Sequence, residues 1–260
     1  MTTQVWVDDS GTKGTDTLFV FASIGMTAEE WAAFSEEWGR RLAAPPTIRY
    51  FKWDEAVGCH GEFRRLSGPE RDTKVRSLVG LINAYRIRVL PLVVDLEGFE
   101  QTVAQEFPKP LNHPYFWSCH NLILSVATDL YRWAGQRERF EIVFDEQVIF
   151  APRVKLYYPF TQIMAAMHRP EIAPILPNEP LFRDDKQFMP LQAADLFAGL
   201  TRAFMSDKAT PLGWVRESLP NIVYSPERRA WERGELAAFV KLAKANIPPG
   251  VTTLSREMFD

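Results

Sequence analysis

Apolar positions along the chain follow two periods, and the places where one gives way to the other mark the elements. "QVWVDDS" (Gln4–Ser10) sets Val5, Trp6 and Val7 in succession and ends on Asp8 and Asp9. The turn-rich "SGTKGTD" follows, then the apolar "TLFVFASIG" (Thr17–Gly25), a pairing that predicts a β-hairpin with a longer loop. From Thr27 the period changes. Trp31, Phe34 and Trp38 recur at helical spacing, Thr27 and Glu30 form a capping-box signature, and Pro45-Pro46 ends the run. "TIRYFKW" (Thr47–Trp53) alternates like a half-buried strand, and a helix opens at Pro69. "IRVLPLVVD" (Ile87–Asp95) is an apolar run ending in acid, in which Pro91 predicts an edge or a bulge. A helix from about Tyr115 to Ala134 leads to "RFEIVFDEQ" (Arg139–Gln147), again an apolar strand ending in acid. Three further helices are expected: "RVKLYYPFTQIMAAMHR" with Pro159 inside it, Met189–Met205 opening on Pro190, and one within "PERRAWERGELAAFVKLAKAN" from Pro226.

A hairpin followed by strands separated by helices is an α/β chain with a mixed sheet, antiparallel at its start and parallel later. There is no internal repeat, low-complexity tract or linker. The expectation is one domain over residues 1–260 with a C-terminal helical extension from about residue 208 to 260.

Composition narrows the class of function only modestly. The formal net charge is -3, without the basic excess of a typical nucleic-acid binder, although a local basic groove can sit on an acidic body. No apolar run has the length of a membrane span, and "MTTQVWVDDS" lacks a basic n-region and an apolar h-region, so the expected location is cytoplasmic. Two cysteines, Cys59 and Cys119, exclude a disulfide framework. Each precedes a histidine, but adjacent side chains diverge on a helix or a strand, so incidental thiols are expected rather than zinc ligands.

The acids carry the chemical signal. Side chains alternate along a strand, so Asp8 shares a face with Trp6 and Asp9 with Val7; the same holds for Asp145 and Glu146 after "EIVF". A single strand-end acid is ordinarily a turn former. Asp195 differs, because it sits in "PLQAADLFAGL", an apolar and small-residue helix where an unpaired carboxylate is costly. Gln192, one turn earlier on the same face, is placed to hydrogen-bond it. Parallel strands bring their C-terminal ends to one edge, so Asp8 and Asp145 are expected to meet there, with Asp195 arriving from a packed helix. Three such carboxylates are tolerable around divalent cations, and their oxygens suit Mg²⁺ or Mn²⁺. Asp95, at the end of its own apolar strand, is the alternative to Asp145 as the middle ligand.

At these residues the chain resembles the DUF3800 proteins, an uncharacterised family assigned to the ribonuclease H-like superfamily. The family's first strand runs into D-E-S-G, and "VDDSG" stands here at Asp8–Gly11. Its middle strand ends in an acid pair, as "IVFDE" does at Asp145 and Glu146, and its Q-x-A-D helix after a short polar segment is similar to "DDKQFMPLQAADLFAG". One position departs: the family's glutamate is Asp9, a shorter arm with the same charge. The resemblance spans roughly residues 4 to 200. It implies a ribonuclease H-like mixed sheet with an N-terminal hairpin and flanking helices. It also implies a metal-dependent nuclease or related phosphoryl-transfer enzyme acting on nucleic acid, with Asp8, Asp145 and Asp195 binding Mg²⁺ or Mn²⁺. Lys52 and Lys186 are candidates to steer phosphate, and Trp53 and Trp117 to stack bases, although the core is the default for a tryptophan. Two other readings compete. A non-catalytic ribonuclease H-like binding module would pair its acids with Arg or Lys, and a metal-free hydrolase would use two acids only.

Overall fold

The computed structural model describes residues 2–11, 16–205, 210–215, 217–218, 223–224 and 229–246. Chain order runs β1 (Thr3–Ser10), β2 (Leu18–Thr27), α1 (Ala28–Ala43), α2 (Trp53–Gly58), α3 (Gly68–Ala84), β3 (Arg88–Asp95), α4 (Leu96–Gln101), α5 (Val103–Glu106), α6 (Pro114–Trp133), β4 (Glu141–Asp145), α7 (Ala151–His168), β5 (Leu181–Arg183), α8 (Met189–Met205), β6 (Val223–Tyr224), β7 (Arg229–Trp231) and α9 (Arg233–Asn246). The strands form one mixed sheet in the order β5-β4-β1-β2-β3-β6, with β7 also on β3. Strand β2 runs antiparallel to β1 and β3, whereas β4 is parallel to both β1 and β5. The expected α/β architecture, a mixed sheet opened by an N-terminal hairpin and flanked by helices, is therefore the one adopted.

Both faces of the sheet are covered, which is why its central strands read as apolar runs. One face carries Trp6, Ala22, Ile24, Val89 and Val143 against α1, α3 and α8; the other carries Val5, Val7, Phe19, Phe21 and Phe144 against α6 and α7. Helix α1 starts at the expected capping box, with Thr27 and Glu30 exchanging side-chain and backbone hydrogen bonds. Its last turn is closed from outside. Buried Lys74 of α3 donates to the carbonyls of Arg41, Leu42 and Ala44, acceptors that a helix end leaves without partners.

Pro91 lies inside β3 rather than on a free edge. Strand β6 pairs with Arg88 and Val89 and β7 with Leu92 to Val94, so the proline falls between the two outer ladders, where its missing N–H costs no bond. Three expectations are corrected. The segment 47–52 is not a strand: it is irregular backbone with a bend at Arg49 and Tyr50 that leads into α2, for a reason that the site explains. The segment from Pro226 is not helical throughout, because Arg229–Trp231 pairs as β7 and the helix begins only at Arg233; residues 226–228 lie outside the described residues. The C-terminal extension thus supplies strands as well as a helix; its residues 247–260 also lie outside the described residues. No helix among the described residues is long and apolar enough to cross a membrane.

Candidate metal centre

Parallel register builds the centre. Trp6 pairs with Val143 and Val7 with Phe144, so one more step of the same ladder sets Asp8 beside Asp145. Trp6 and Val143 share the face toward α8, and by alternation Asp8 and Asp145 share it too. Asp145 in turn pairs with Arg183 of β5, and two residues later the chain presents Asp185, whose backbone N–H donates to the Asp145 carboxylate at 3.2 Å. Single carboxylate oxygens of Asp8, Asp145 and Asp185 all lie within 4.8 Å of one another.

Asp195 comes from α8 and is close enough for its charge to act on Asp8. Its Oδ2 accepts the backbone N–H of Trp53 at 2.6 Å. Gln192 does not hold the Asp195 carboxylate, contrary to expectation. Its Oε1 accepts from Trp38 Nε1 at 2.9 Å and from the Phe51 backbone N–H at 3.0 Å, while its Nε2 donates to the Asp185 carbonyl at 3.0 Å. Backbone donors of segment 47–52 are taken from several sides, Ile48 by the Leu42 carbonyl, Arg49 by the Glu62 carboxylate and Phe51 by Gln192 of α8, which is why an alternating sequence is not a strand here.

Between those two anchors stands Lys52. Its Nζ lies 2.5 Å from Asp185 Oδ2, an oxygen with no directed hydrogen bond beside this ion pair. Burial would lower the Lys52 pKa, but the hydrogen-bonding and charge of Asp185, with Asp195 and Asp8 behind it, raise it above the ordinary lysine value. Lys52 therefore carries a full positive charge.

Carboxylate titrations move the opposite way. Burial, then Asp195, Asp145 and Asp9, raise Asp8 well above the usual range. Burial and Asp145 push Asp9 up to about 7; burial and Asp185 push Asp145 to about 6; burial lifts Asp195 to about 7 despite the Trp53 N–H. Among the described residues, one ammonium shared by so many acids leaves an excess of negative charge that protons or cations must offset. All the donors are carboxylate oxygens, the set that suits Mg²⁺ or Mn²⁺, so the residues fit a hard divalent cation.

The remaining expected residues separate clearly. Asp9, on the opposite face as the pleat requires, accepts from Gln147 Nε2 at 3.1 Å. Glu146 is exposed. Asp95 is not in the cluster: it caps α4, accepting the Gly98 N–H at 3.0 Å, so Asp145 takes the middle place. Lys186 is exposed, its Nζ 5.2 Å from the Tyr50 ring centroid. Trp53 and Trp117 are 5% and 1% exposed, so neither has a face free to stack a base. Cys59 is exposed, Cys119 is buried, and neither joins a metal-ligating group among the described residues. Asp185 is the residue that sequence reasoning missed. Part of its signal was present, since "LFRDD" also runs a short strand into paired acids, but here the second acid rather than the first joins the group.

Two glycines hold this arrangement. Gly11 has φ +98°, and a Cβ there would sit 2.0 Å from the Leu18 carbonyl oxygen. Before it, Ser10 Oγ accepts from Arg202 Nε at 2.8 Å, which ties the end of β1 to α8. Gly199 lets the Trp53 ring lie on α8, where a Cβ would come 2.1 Å from Trp53 Cδ1. Gly199→Ala is expected to cost about 2 kcal/mol or more through overpacking and to lower the melting temperature by about 5 °C or more. Thermal unfolding followed by circular dichroism checks this, and an unchanged melting temperature would contradict the packing.

No protein-family model and no curated protein matches the chain. Among solved structures it is similar to a chain of the PCNA:RNase HII complex from Archaeoglobus fulgidus, at 14% identity and a TM-score of 0.41, over 94% of this chain and 91% of that one. A likeness this loose transfers no chemistry, and the centre stands on its own geometry.

Proposed function

We propose that this protein is a divalent-metal-dependent nuclease, or a related phosphoryl-transfer enzyme acting on nucleic acid, on a ribonuclease H-like fold of the DUF3800 type. The observation that carries the reading is the meeting of Asp8 of β1, Asp145 of β4 and Asp185 just after β5, three neighbouring parallel strands, within 4.8 Å at one sheet edge. Structural acids on a binding module would each be matched by a cation; among the described residues a shared lysine, Lys52, acts on Asp8, Asp145 and Asp195 alike. Asp8, Asp145 and Asp185 would hold Mg²⁺ or Mn²⁺, with Asp195 adding negative charge behind them. A bound ion of this kind supplies a water nucleophile at neutral pH and offsets charge on the reacting phosphate. Lys52, about one-third exposed, and the exposed Lys186 give the mouth positive charge for an incoming phosphodiester.

The test is cleavage of labelled single-stranded DNA, single-stranded RNA, duplex DNA and RNA–DNA hybrid, with Mn²⁺ and with EDTA. Cleavage of at least one substrate that EDTA abolishes is expected. Inactivity on all of them would favour the binding-module reading.

A further inference from the structure

Helix α8 places two side chains one turn apart, and both are spent on the same short piece of backbone. Gln192 Oε1 takes the N–H of Phe51 at 3.0 Å, and Asp195 Oδ2 takes the N–H of Trp53 at 2.6 Å. Lys52 lies between these fixed points. With both neighbouring amides held, and with the Trp53 ring packed on Gly199, its side chain leaves the backbone at a set place and reaches Asp185 Oδ2 at 2.5 Å. Gln192 also fixes the other partner, donating to the Asp185 carbonyl at 3.0 Å. One buried amide thus positions both ends of the ion pair.

We infer that Lys52 is a resident cation of the carboxylate cluster, occupying the place of a second divalent ion, so that the centre takes one metal ion per chain. The inference rests on the metal-dependent reading above and specifies its stoichiometry. Its basis is competition for oxygens. A pair of ions about 4 Å apart needs shared carboxylates on both sides. Here one Asp185 oxygen faces the Lys52 ammonium and one Asp195 oxygen is committed to Trp53. A fixed ammonium against Asp185 also repels a second dication directly, because like charges a few ångströms apart in a half-buried site interact strongly. Gln192 and Asp195 then act as positioning residues for Lys52.

Stoichiometry can be read without any catalytic assay, by isothermal titration of the metal-stripped full-length protein with Mn²⁺ and by counting bound Mn²⁺ with electron paramagnetic resonance. One ion per chain is expected for the native protein and for Lys52→Arg. Two ions per chain, or a first ion bound about tenfold tighter or better, are expected for Lys52→Met, which keeps an unbranched arm one atom shorter and removes its charge. Two ions in the native protein would overturn the inference and leave the metal-dependent reading intact, as would a Lys52→Met protein indistinguishable from native. Absence of Mn²⁺ binding in the native protein would overturn both. Should Lys52→Met not fold, the count on the native protein alone still decides.

Discussion

Asp8→Asn is expected to lower the proposed metal-dependent cleavage by about a thousandfold while leaving the metal-free protein more heat-stable than the native chain at pH 8. The two halves of this result have one cause. Asp8 is 5% exposed, faces Asp145 and Asp195, and is held well above the ordinary carboxylate range, so ionising it costs folding energy when no cation is present. Asparagine keeps the shape and removes the charge. Removal of a ligand forfeits several kcal/mol of charge stabilisation at the reacting phosphate, and roughly 4 kcal/mol corresponds to three orders of magnitude in rate. Asp145→Asn should behave alike, whereas Asp185→Asn should share the loss of cleavage without the gain in stability, because it also breaks the ion pair with Lys52. Asp95→Asn is the control. Asp95 caps α4, asparagine caps equally well, and neither rate nor stability should move. Initial rates under Mn²⁺ and melting curves with EDTA check the set. Full cleavage by Asp8→Asn would mean that the activity lies elsewhere, and loss accompanied by a lower melting temperature would mean damage to the fold rather than to the centre.

Which parts of this centre were legible in the sequence follows from how far each depends on local pattern. The register that unites Asp8 and Asp145 needs only two apolar runs ending in acid, and the pleat that sends Asp9 to the other face needs only alternation. Thr27 and Glu30, and the extent of α8, depend on neighbours three and four residues away and are equally readable. Asp185 follows a strand of three residues, too short to show a period, and belongs to the centre only because β5 joins β4. Segment 47–52 alternates as a strand does. Part of what draws it away from a strand is 141 residues off, in the Gln192 amide that accepts from Phe51. Gln192 itself was recognisable as important. Its geometry was not, since from α8 alone it appears to serve its helical neighbour Asp195 rather than the backbone on either side of Lys52. Strand β7 was hidden in the same way: three residues beside a helix give no pattern until Leu92 to Val94 are there to receive them.

The second large effect is the pH dependence of metal stabilisation. Burial and mutual repulsion push Asp145 up to about 6 and Asp9 and Asp195 up to about 7, against an unperturbed value of 3.8, and also hold Asp8 well above that value. An acid whose pKa is raised by folding binds protons more tightly folded than unfolded. Its stabilising share is present below pH 3.8 and is lost as pH rises through 6 to 7. The metal-free protein is therefore expected to lose carboxylate stabilisation as pH rises from 3.8 to about 7. Histidine complicates the acid side. Burial lowers His120 to about 4 and also lowers His113, so each adds stability as pH rises toward its ordinary value of 6.5, opposing the carboxylates there. Above pH 6.5 that opposition ends, and the carboxylate trend stands alone. Comparing melting temperatures with and without Mn²⁺ cancels the histidines at every pH, because neither contacts the cluster. Protons and Mn²⁺ compete for the same oxygens, so the Mn²⁺ increment should be small at pH 5.5 and grow through pH 8. At a Mn²⁺ concentration 100 times the dissociation constant it reaches about 2.7 kcal/mol, roughly 5–10 °C for a chain of this size. Asp8→Asn should flatten that growth. An increment independent of pH would show that Mn²⁺ binds elsewhere, and one that shrinks as pH rises would contradict the direction in which burial and mutual repulsion shift these four acids.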